Sequence, residues 1–300
     1  MIYTVTFNPA LDYAVETGDL NLGKTNRSEN EKITAGGKGI NVSTVLKNLG
    51  ADSVALGFIA GFTGKEIERQ TKALNITTDF IEIDGLSRIN VKIRSSKETE
   101  INCSGPIIPD CALKKLYEKL LKLNNGDYLV LAGSVPSSLN KSVYADIMEM
   151  LDGRGVNVVV DATGELLGKV LPFHPFLIKP NTQELSEFFG VEIEDQKEAI
   201  VYAKKLQDLG ARNVIVSMGA DGAIMVSEKG EEYALDAPSG KVINTVGSGD
   251  SMGAGFVYAT ASGSDYCVAF KTAVASGSAS AFCEGLADKA KIEEVLKTIK

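Results

Sequence analysis

The most distinctive stretch of this sequence is Asn244–Thr245–Val246–Gly247–Ser248–Gly249–Asp250–Ser251–Met252–Gly253–Ala254–Gly255–Phe256. It is a glycine-rich turn that leads into the start of a predicted helix. The glycines at 247 and 249 allow backbone N–H groups to turn toward one point, and the small residues that follow predict a helix beginning there. Such a helix start binds anions, because its first N–H groups lack partners and the helix dipole is positive at that end. Asp250 stands at the edge of this predicted anion site.

Two interpretations of Asp250 compete. The carboxylate could simply cap the helix, as Asp often does. Against this, Gly253 and Gly255 each cost roughly 1 kcal/mol relative to alanine inside a helix. So many glycines in one short stretch indicate that the backbone approaches another group closely, and we favour a functional role for the turn.

Outward from this turn, strand-like apolar runs alternate with helix-like stretches along almost the whole chain. Thr63 with Glu66 predicts a capping box, and Gly50 predicts the end of a helix. Continuous apolar runs are typical of strands covered by helices on both faces. The sequence therefore predicts an α/β fold with a doubly wound, mostly parallel sheet. The candidate strands are Ile2–Phe7, Val54–Ile59, Tyr128–Ala132, Val156–Asp161, Phe176–Lys179 and Val214–Ser217.

Two segments break this rhythm. Residues 12–33 are polar and rich in turns, whereas Arg88–Cys103 alternates between apolar and polar residues, as in a one-sided antiparallel sheet. We expect a small β-sheet lid built from residues of about 12–33 and 86–104. The sequence contains no linker that would divide it into two sequential domains, so we expect residues 1–300 to form a single domain.

The composition excludes several classes of protein. A net charge of −8 disfavours nucleic acid as a partner, and the apolar runs are too short to cross a membrane. The N-terminus lacks the pattern of a signal peptide, and the four cysteines are scattered, so we expect a cytoplasmic protein. His174 is the only histidine, and its setting between prolines and aromatics predicts a loop residue rather than a catalyst or a ligand of zinc or haem.

Three further polar clusters are candidates for ligand contacts. Ala35–Asn41 lacks the spacing of a P-loop or of a dinucleotide fingerprint, so a plain turn and a ligand contact both stay open. Lys179–Glu184 follows a strand, and its Asn181 and Glu184 fit either a capping box or a magnesium site that acts through waters. Ser217–Gly222 also follows a strand, at the edge where α/β sheets bind ligands.

Together these stretches resemble the ribokinase-like (PfkB) carbohydrate kinases. Ala35–Ser43 and Asn244–Phe256 are similar to the two defining motifs of that family, and the other two clusters fall between them in the order that the family shows. The resemblance covers essentially the whole chain and implies the ribokinase-like fold with a β-sheet lid. One departure is Asn244, since the family's second motif often begins with Asp; this puts in doubt a cation site that relies on a carboxylate there.

The resemblance implies a role for each matched residue. Asp250 would be the catalytic base, beside an anion hole of Gly247, Ser248 and Gly249. The sugar site would comprise Asp12, Gly36, Gly37, Asn41 and Asn90, with Lys38, Arg88, Lys92 and Arg27 as candidate cations for a substrate phosphate. ATP would contact Lys179, Ser217, Gly219 and Gly222, and Mg²⁺ would be held through waters by Asn181 and Glu184.

The implied activity is ATP-dependent phosphorylation of a ketohexose phosphate, with fructose 1-phosphate converted to fructose 1,6-bisphosphate as the leading hypothesis. The alternatives are a tagatose-6-phosphate kinase, another sugar kinase of the family, and a non-catalytic sensor of sugar phosphates. A homodimer that pairs through the exposed strands of the lid is a further hypothesis.

Overall fold

The computed structural model describes residues 1–299 of the chain. Its strands are β1 (Ile2–Thr6), β2 (Ala10–Glu16), β3 (Asn30–Gly36), β4 (Ser53–Ala60), β5 (Thr77–Thr78), β6 (Ile81–Ile83), β7 (Arg88–Arg94), β8 (Thr99–Ile101), β9 (Tyr128–Ala132), β10 (Asn157–Asp161), β11 (Leu177–Ile178), β12 (Asn213–Ser217), β13 (Ala223–Val226) and β14 (Glu232–Leu235). The α-helices are α1 (Lys38–Leu49), α2 (Gly61–Ala73), α3 (Asp110–Leu120), α4 (Val143–Leu151), α5 (Gly164–Val170), α6 (Thr182–Phe189), α7 (Gln196–Asp208), α8 (Ser248–Ala261), α9 (Tyr266–Ala281) and α10 (Lys289–Leu296).

The main sheet is mostly parallel, as predicted. Its order is β14-β13-β12-β11-β10-β9-β1-β4-β5, with β6 paired to β4. Only β13 and β14 run antiparallel to their neighbours within this described sheet. The fold is therefore the expected doubly wound α/β class, and an antiparallel edge that the strand predictions did not include completes it.

Helices cover both faces of this sheet, and strand β9 shows why. Leu129 and Leu131 point into one apolar core with α3 to α7, whereas Tyr128 and Val130 point into the other with α1 and α8 to α10. Because both faces are buried, every residue of β9 is apolar. This explains why continuous apolar runs located these strands from the sequence.

Two helix boundaries test the local predictions. Gly50 ends α1 in the left-handed conformation, as predicted, with φ at 98°. The capping box at Thr63 is wrong, because α2 already begins at Gly61 without a side-chain cap. The Thr63 hydroxyl instead donates to the carbonyls of Ala60 and Ser87, and Glu66 pairs with Arg69.

A second sheet of four strands, ordered β3-β2-β7-β8, stands beside the first. We call it the lid. The expected antiparallel pairing is confirmed for β2 with β3 and for β7 with β8, but it is wrong for the central pair, because β2 and β7 run in parallel. These two strands come from separate parts of the chain and leave the main sheet in the same direction, so no hairpin joins them.

The two faces of the lid differ in exposure. Its polar face turns toward the main body, and Asn90 on this face is buried. Its apolar face carries Ile33 and Ile101, whose side chains are 52% and 54% exposed. Burial of polar residues and exposure of apolar ones is the reverse of a sheet that covers a core, which indicates that the polar face serves a site.

Among the helices of residues 1–299, none combines the length and the apolar character that crossing a bilayer requires.

Candidate active site

A cavity of about 950 Å³ opens between the carboxyl ends of the parallel strands and the polar face of the lid. This is the edge at which open α/β sheets bind their ligands. Most of the residues proposed from the sequence meet here. Those lining the cavity are Gly37, Lys38, Asn41, Arg88, Lys92, Lys179, Asn181, Glu184, Ser217, Gly219, Gly222, Gly247, Ser248, Gly249 and Asp250.

The glycine turn before α8 has the geometry of an anion-binding element. Gly247 adopts the left-handed conformation, with φ at 82°, and α8 begins at Ser248. Within residues 1–299 the backbone N–H groups of Gly249 and Asp250 have no acceptor, whereas the Ser248 N–H bonds weakly to Thr245. Free N–H donors at a helix start are what an anion hole requires.

Asp250 is not a helix cap, so the simpler interpretation of this residue is wrong. No side chain caps α8, and the Asp250 carboxylate instead accepts a hydrogen bond from Asn41 Nδ2 at 2.8 Å. Asp250 is 6% exposed. Burial, with a smaller contribution from the negative charge of Asp161, raises the pKa of Asp250 to about 6. A carboxylate tuned in this way suits proton abstraction near neutral pH.

Part of the glycine density has another cause. A β-carbon at Gly255 would collide with the Ser276 hydroxyl and the Thr272 carbonyl, so this glycine lets α8 pack closely on α9. Gly249 faces Lys179 Nζ, which lies 3.1 Å from where a β-carbon would stand. The backbone does approach other groups closely, but at Gly255 that group is a neighbouring helix.

Asp161 is a cavity residue that the sequence analysis did not assign to the site. It ends β10, and its Oδ2 accepts from Lys38 Nζ at 3.1 Å. Although burial alone would raise the pKa of Asp161, Lys179 and Lys38 together hold it below the usual range. A lone carboxylate at the end of the apolar run Val156–Asp161 was the available clue.

The cluster Ala35–Asn41 is shaped by contacts within the protein. A β-carbon at Gly36 would strike the Asp12 carboxylate, and one at Gly37, where φ is 123°, would strike Thr6. These glycines let the chain leave the lid at the end of β3 and start α1 beside β1. As a result Lys38 and Asn41 both reach the cavity.

Asn181 and Glu184 do form the predicted capping box at the start of α6. The Asn181 side chain accepts from the Glu184 N–H, and Glu184 Oε2 accepts from the Asn181 N–H. Both residues also line the cavity, and the other carboxylate oxygen of Glu184 stays available. One carboxylate with waters and phosphate oxygens suits Mg²⁺, which keeps much of its hydration shell, so these residues fit the implied ion.

On the polar face of the lid, Asp12 and Asn90 form a pair, but neither they nor Gly36 are among the residues that line the cavity. Asn90 Nδ2 donates to Asp12 Oδ1 at 2.9 Å. Arg88 and Lys92 flank Asn90 on the same strand and line the cavity. Arg27 is not brought to them, because it lies in the exposed turn between β2 and β3 and is not among the residues that line the cavity.

The end of the cavity near Ser217 contains residues that carried no motif. Beyond Ser217, Gly219 and Gly222, its walls include Ala237, Pro238, Val242, Val274 and Phe282. These apolar side chains come from the segment after β14 and from the region of α9. Their spacing in the sequence is irregular, which is why pattern analysis missed them.

Asn244 supports the glycine turn from outside. Its Nδ2 donates to the Glu284 carbonyl at 3.0 Å, and its Oδ1 accepts from the Val246 N–H at 3.0 Å. The Asn244 amide therefore supports the turn through one donated and one accepted hydrogen bond, although the family's motif often has Asp at this position.

Comparison of the sequence with known proteins identifies the family of this chain. The model of the pfkB family of carbohydrate kinases matches residues 6–293. The 1-phosphofructokinase of Bacillus subtilis (strain 168) is 44% identical over 300 residues, which cover 100% of this chain and 99% of that protein. The D-tagatose-1-phosphate kinase of Bacillus licheniformis is 38% identical, with 100% and 99% covered.

A solved structure agrees as well. A Staphylococcus aureus protein assigned as a phosphofructokinase superposes with a TM-score of 0.90 at 45% identity, covering 100% of this chain and 98% of that one. The resemblance inferred from the motifs is confirmed. This chain belongs to the PfkB family of carbohydrate kinases, ATP-dependent enzymes that transfer a phosphoryl group to a hydroxyl group.

Proposed function

We propose that this enzyme phosphorylates fructose 1-phosphate to fructose 1,6-bisphosphate. The observation that carries the proposal is the buried Asp250 carboxylate, which lies beside the free N–H groups of the glycine turn in a cavity whose lid supplies cations. A base, an anion hole and a cationic sugar site are the parts that transfer of a phosphoryl group to a sugar phosphate requires.

In the proposed mechanism, Asp250 takes the proton from the accepting hydroxyl of the sugar. Asn41 orients the carboxylate through its 2.8 Å hydrogen bond. The N–H groups of the turn Gly247–Gly249 and of Asp250 stabilise the negative charge on the phosphoryl group during transfer. Positioning and charge stabilisation supply most of the rate in this chemistry, so the rigid start of α8 is well suited to it.

The sugar lies against Asp12, Asn90 and Asn41, with Gly36 and Gly37 providing close backbone contact. Arg88 faces the phosphate that the substrate already carries. On the opposite side, Ser217, Gly219, Gly222 and Lys179 contact ATP, whose adenine fits between the apolar walls described above. Mg²⁺, held through waters by Asn181 and Glu184, would neutralise charge on the phosphates of ATP.

D-tagatose 1-phosphate is a second candidate substrate, because one relative at 38% identity is named for its phosphorylation. Release of ADP should be measured with fructose 1-phosphate, tagatose 1-phosphate, tagatose 6-phosphate, fructose 6-phosphate and unphosphorylated fructose. We expect the highest kcat/KM with fructose 1-phosphate. Tight binding of sugar phosphates without turnover of any of them would overturn the kinase proposal in favour of a sensor.

We also propose that residues 1–300 act as one kinase domain whose lid, approximately residues 12–33 and 86–104, closes the sugar site. The exposed apolar face of the lid supports pairing with a second copy of the chain. The four cysteines are unpaired in the structure, which supports a cytoplasmic location.

A further inference from the structure

The two lid cations that line the cavity have different partners. Arg88 Nε donates to the Asn8 carbonyl at 3.0 Å, and its Nη1 lies 3.4 Å from the Cys103 carbonyl. Within residues 1–299, no carboxylate lies within 4 Å of this guanidinium. Lys92, in contrast, has a carboxylate partner: its Nζ lies 3.5 Å from Glu100 Oε1.

The register of the lid places this ion pair next to the proposed sugar position. Lys92 stands directly opposite Glu100 on β8, and Asn90 stands opposite Asp12 on β2. Residues two apart on a strand share a face and are separated by about 6.7 Å. The pair therefore lies one row beyond the Asp12–Asn90 pair, within reach of a substituent on a bound hexose.

Glu100 does not itself line the cavity, but it contacts two side chains that do. Besides Lys92, it lies 3.5 Å from the Nδ2 of Asn102. The Lys92 side chain is 15% exposed and that of Glu100 is 37% exposed, so solvent screens the pair only in part. A carboxylate at this distance cancels most of the field that Lys92 would offer to an anion, and it repels a phosphate that approaches.

We propose that Glu100 is a positioning residue that lowers the affinity of the sugar site for phosphate by holding Lys92. This inference deepens the proposed function and depends on it for the identity of the sugar phosphate. Arg88 then provides the main attraction for the substrate phosphate, and Lys92 contributes only in part. Since the bisphosphate product keeps this phosphate, the same carboxylate also weakens binding of the product and so favours its release.

The test is a set of variants with opposite expected effects. Glu100→Gln keeps the shape of the side chain but frees Lys92, so the Kd and KM for fructose 1-phosphate should fall about fivefold, as for loss of one partly exposed ion pair. The inhibition constant of fructose 1,6-bisphosphate should fall at least as much, while the KM for ATP stays within twofold. Lys92→Met should change these constants in the opposite direction.

Glu98→Gln is the matched control, because it removes the same charge from the same hairpin, while the ion pair of Lys92 within residues 1–299 is with Glu100 and not with Glu98. It should leave the affinity for sugar phosphate unchanged. A purely structural ion pair would make Glu100→Gln and Lys92→Met behave alike, and that result would overturn the inference. Equal gains in Glu98→Gln and Glu100→Gln would also overturn it, since they would reflect net charge alone.

Binding should be measured by calorimetry without ATP as well as by turnover. If wild-type protein turns over no sugar phosphate, the proposed function fails, whereas the calorimetric comparison still tests Glu100. If wild-type protein is active but Glu100→Gln binds fructose 1-phosphate no more tightly, only the inference about Glu100 fails.

Discussion

At the scale of the residue, Asp250 combines burial with a single strong hydrogen bond. Burial disfavours its charged form, and Asp161 adds repulsion, whereas Asn41, Lys38 and Lys179 favour the charge. The net result is a pKa raised to about 6. The carboxylate is therefore a stronger base than an exposed aspartate and is still ionised in most molecules at neutral pH.

We expect Asp250→Asn to lower kcat roughly 100-fold or more, because the amide cannot accept the proton from the sugar hydroxyl. The KM for each substrate should change little. In wild-type protein, kcat/KM should rise with pH through about 6, since only the deprotonated carboxylate acts as a base. Steady-state kinetics from pH 5 to 8 measure both effects, and a variant that keeps most of its activity would remove Asp250 from its proposed role.

Asp161→Asn should move the acid limb of this pH profile to lower pH. The substitution removes a negative charge that raises the pKa of Asp250, while Lys38 and Lys179, which lower it, stay in place. The maximum of kcat/KM should fall as well, because Lys38 loses its 3.1 Å partner. Asp146→Asn removes one charge from an exposed site and should leave the profile unchanged; an acid limb that stays fixed in Asp161→Asn contradicts the assignment.

At the scale of the element, the start of α6 forms a capping box and is proposed to hold Mg²⁺, and Glu184 takes part in both roles. Glu184 accepts the Asn181 N–H within the capping box, and glutamine can make the same bond. Charge at this position, by contrast, is needed only for an ion.

We therefore expect Glu184→Gln to keep its melting temperature and to require more Mg²⁺ for half-maximal activity. Glu184→Ala also loses the hydrogen bond to the Asn181 N–H, one half of the capping box, which costs roughly 1 kcal/mol of stability. Thermal unfolding without nucleotide, together with a titration of Mg²⁺ at saturating substrates, distinguishes the two effects. Equal Mg²⁺ requirements in wild type and Glu184→Gln would leave this residue as a helix cap alone.

At the scale of the whole molecule, the lid exposes apolar side chains on the side that faces away from the cavity. Ile33, Ile89 and Ile101 are exposed by 52%, 37% and 54%, and neighbouring positions on the same face are apolar too. Contiguous apolar surface of this kind is typical of protein interfaces.

We expect the protein to be a dimer in solution and Ile33→Glu to convert it to a monomer, because charge on this face is costly to bury. Light scattering coupled to size exclusion measures the mass directly. Leu209→Glu serves as the control, since Leu209 is 48% exposed and lies directly after α7, outside the lid. A wild-type monomer at micromolar concentration, or a dimer that survives Ile33→Glu, contradicts the proposed interface.

The order of strands and helices was largely predictable from the sequence, because burial of both sheet faces demands continuous apolar runs and these are local. Tyr128–Ala132 was located to the residue, and the other predicted strands were located within two residues at each end. The antiparallel edge β13–β14 and the parallel pairing of β2 with β7 were not predictable in the same way. Both depend on which separated segments of the chain pair with each other, and a local sequence pattern does not contain this information.

The sequence by itself determined the family, the fold class and the glycine turn that carries Asp250, since each rests on residue types within a short stretch. Only the tertiary structure decided what surrounds Asp250. Asn41 reaches Asp250 across 209 positions, and Lys38 reaches Asp161 across 123. The raised pKa of Asp250 and the ion pair of Lys92 depend on contacts between residues that are separated in the sequence. Electrostatic interactions depend on distance in space, and burial depends on the residues packed around a group, so neither can be derived from the local sequence.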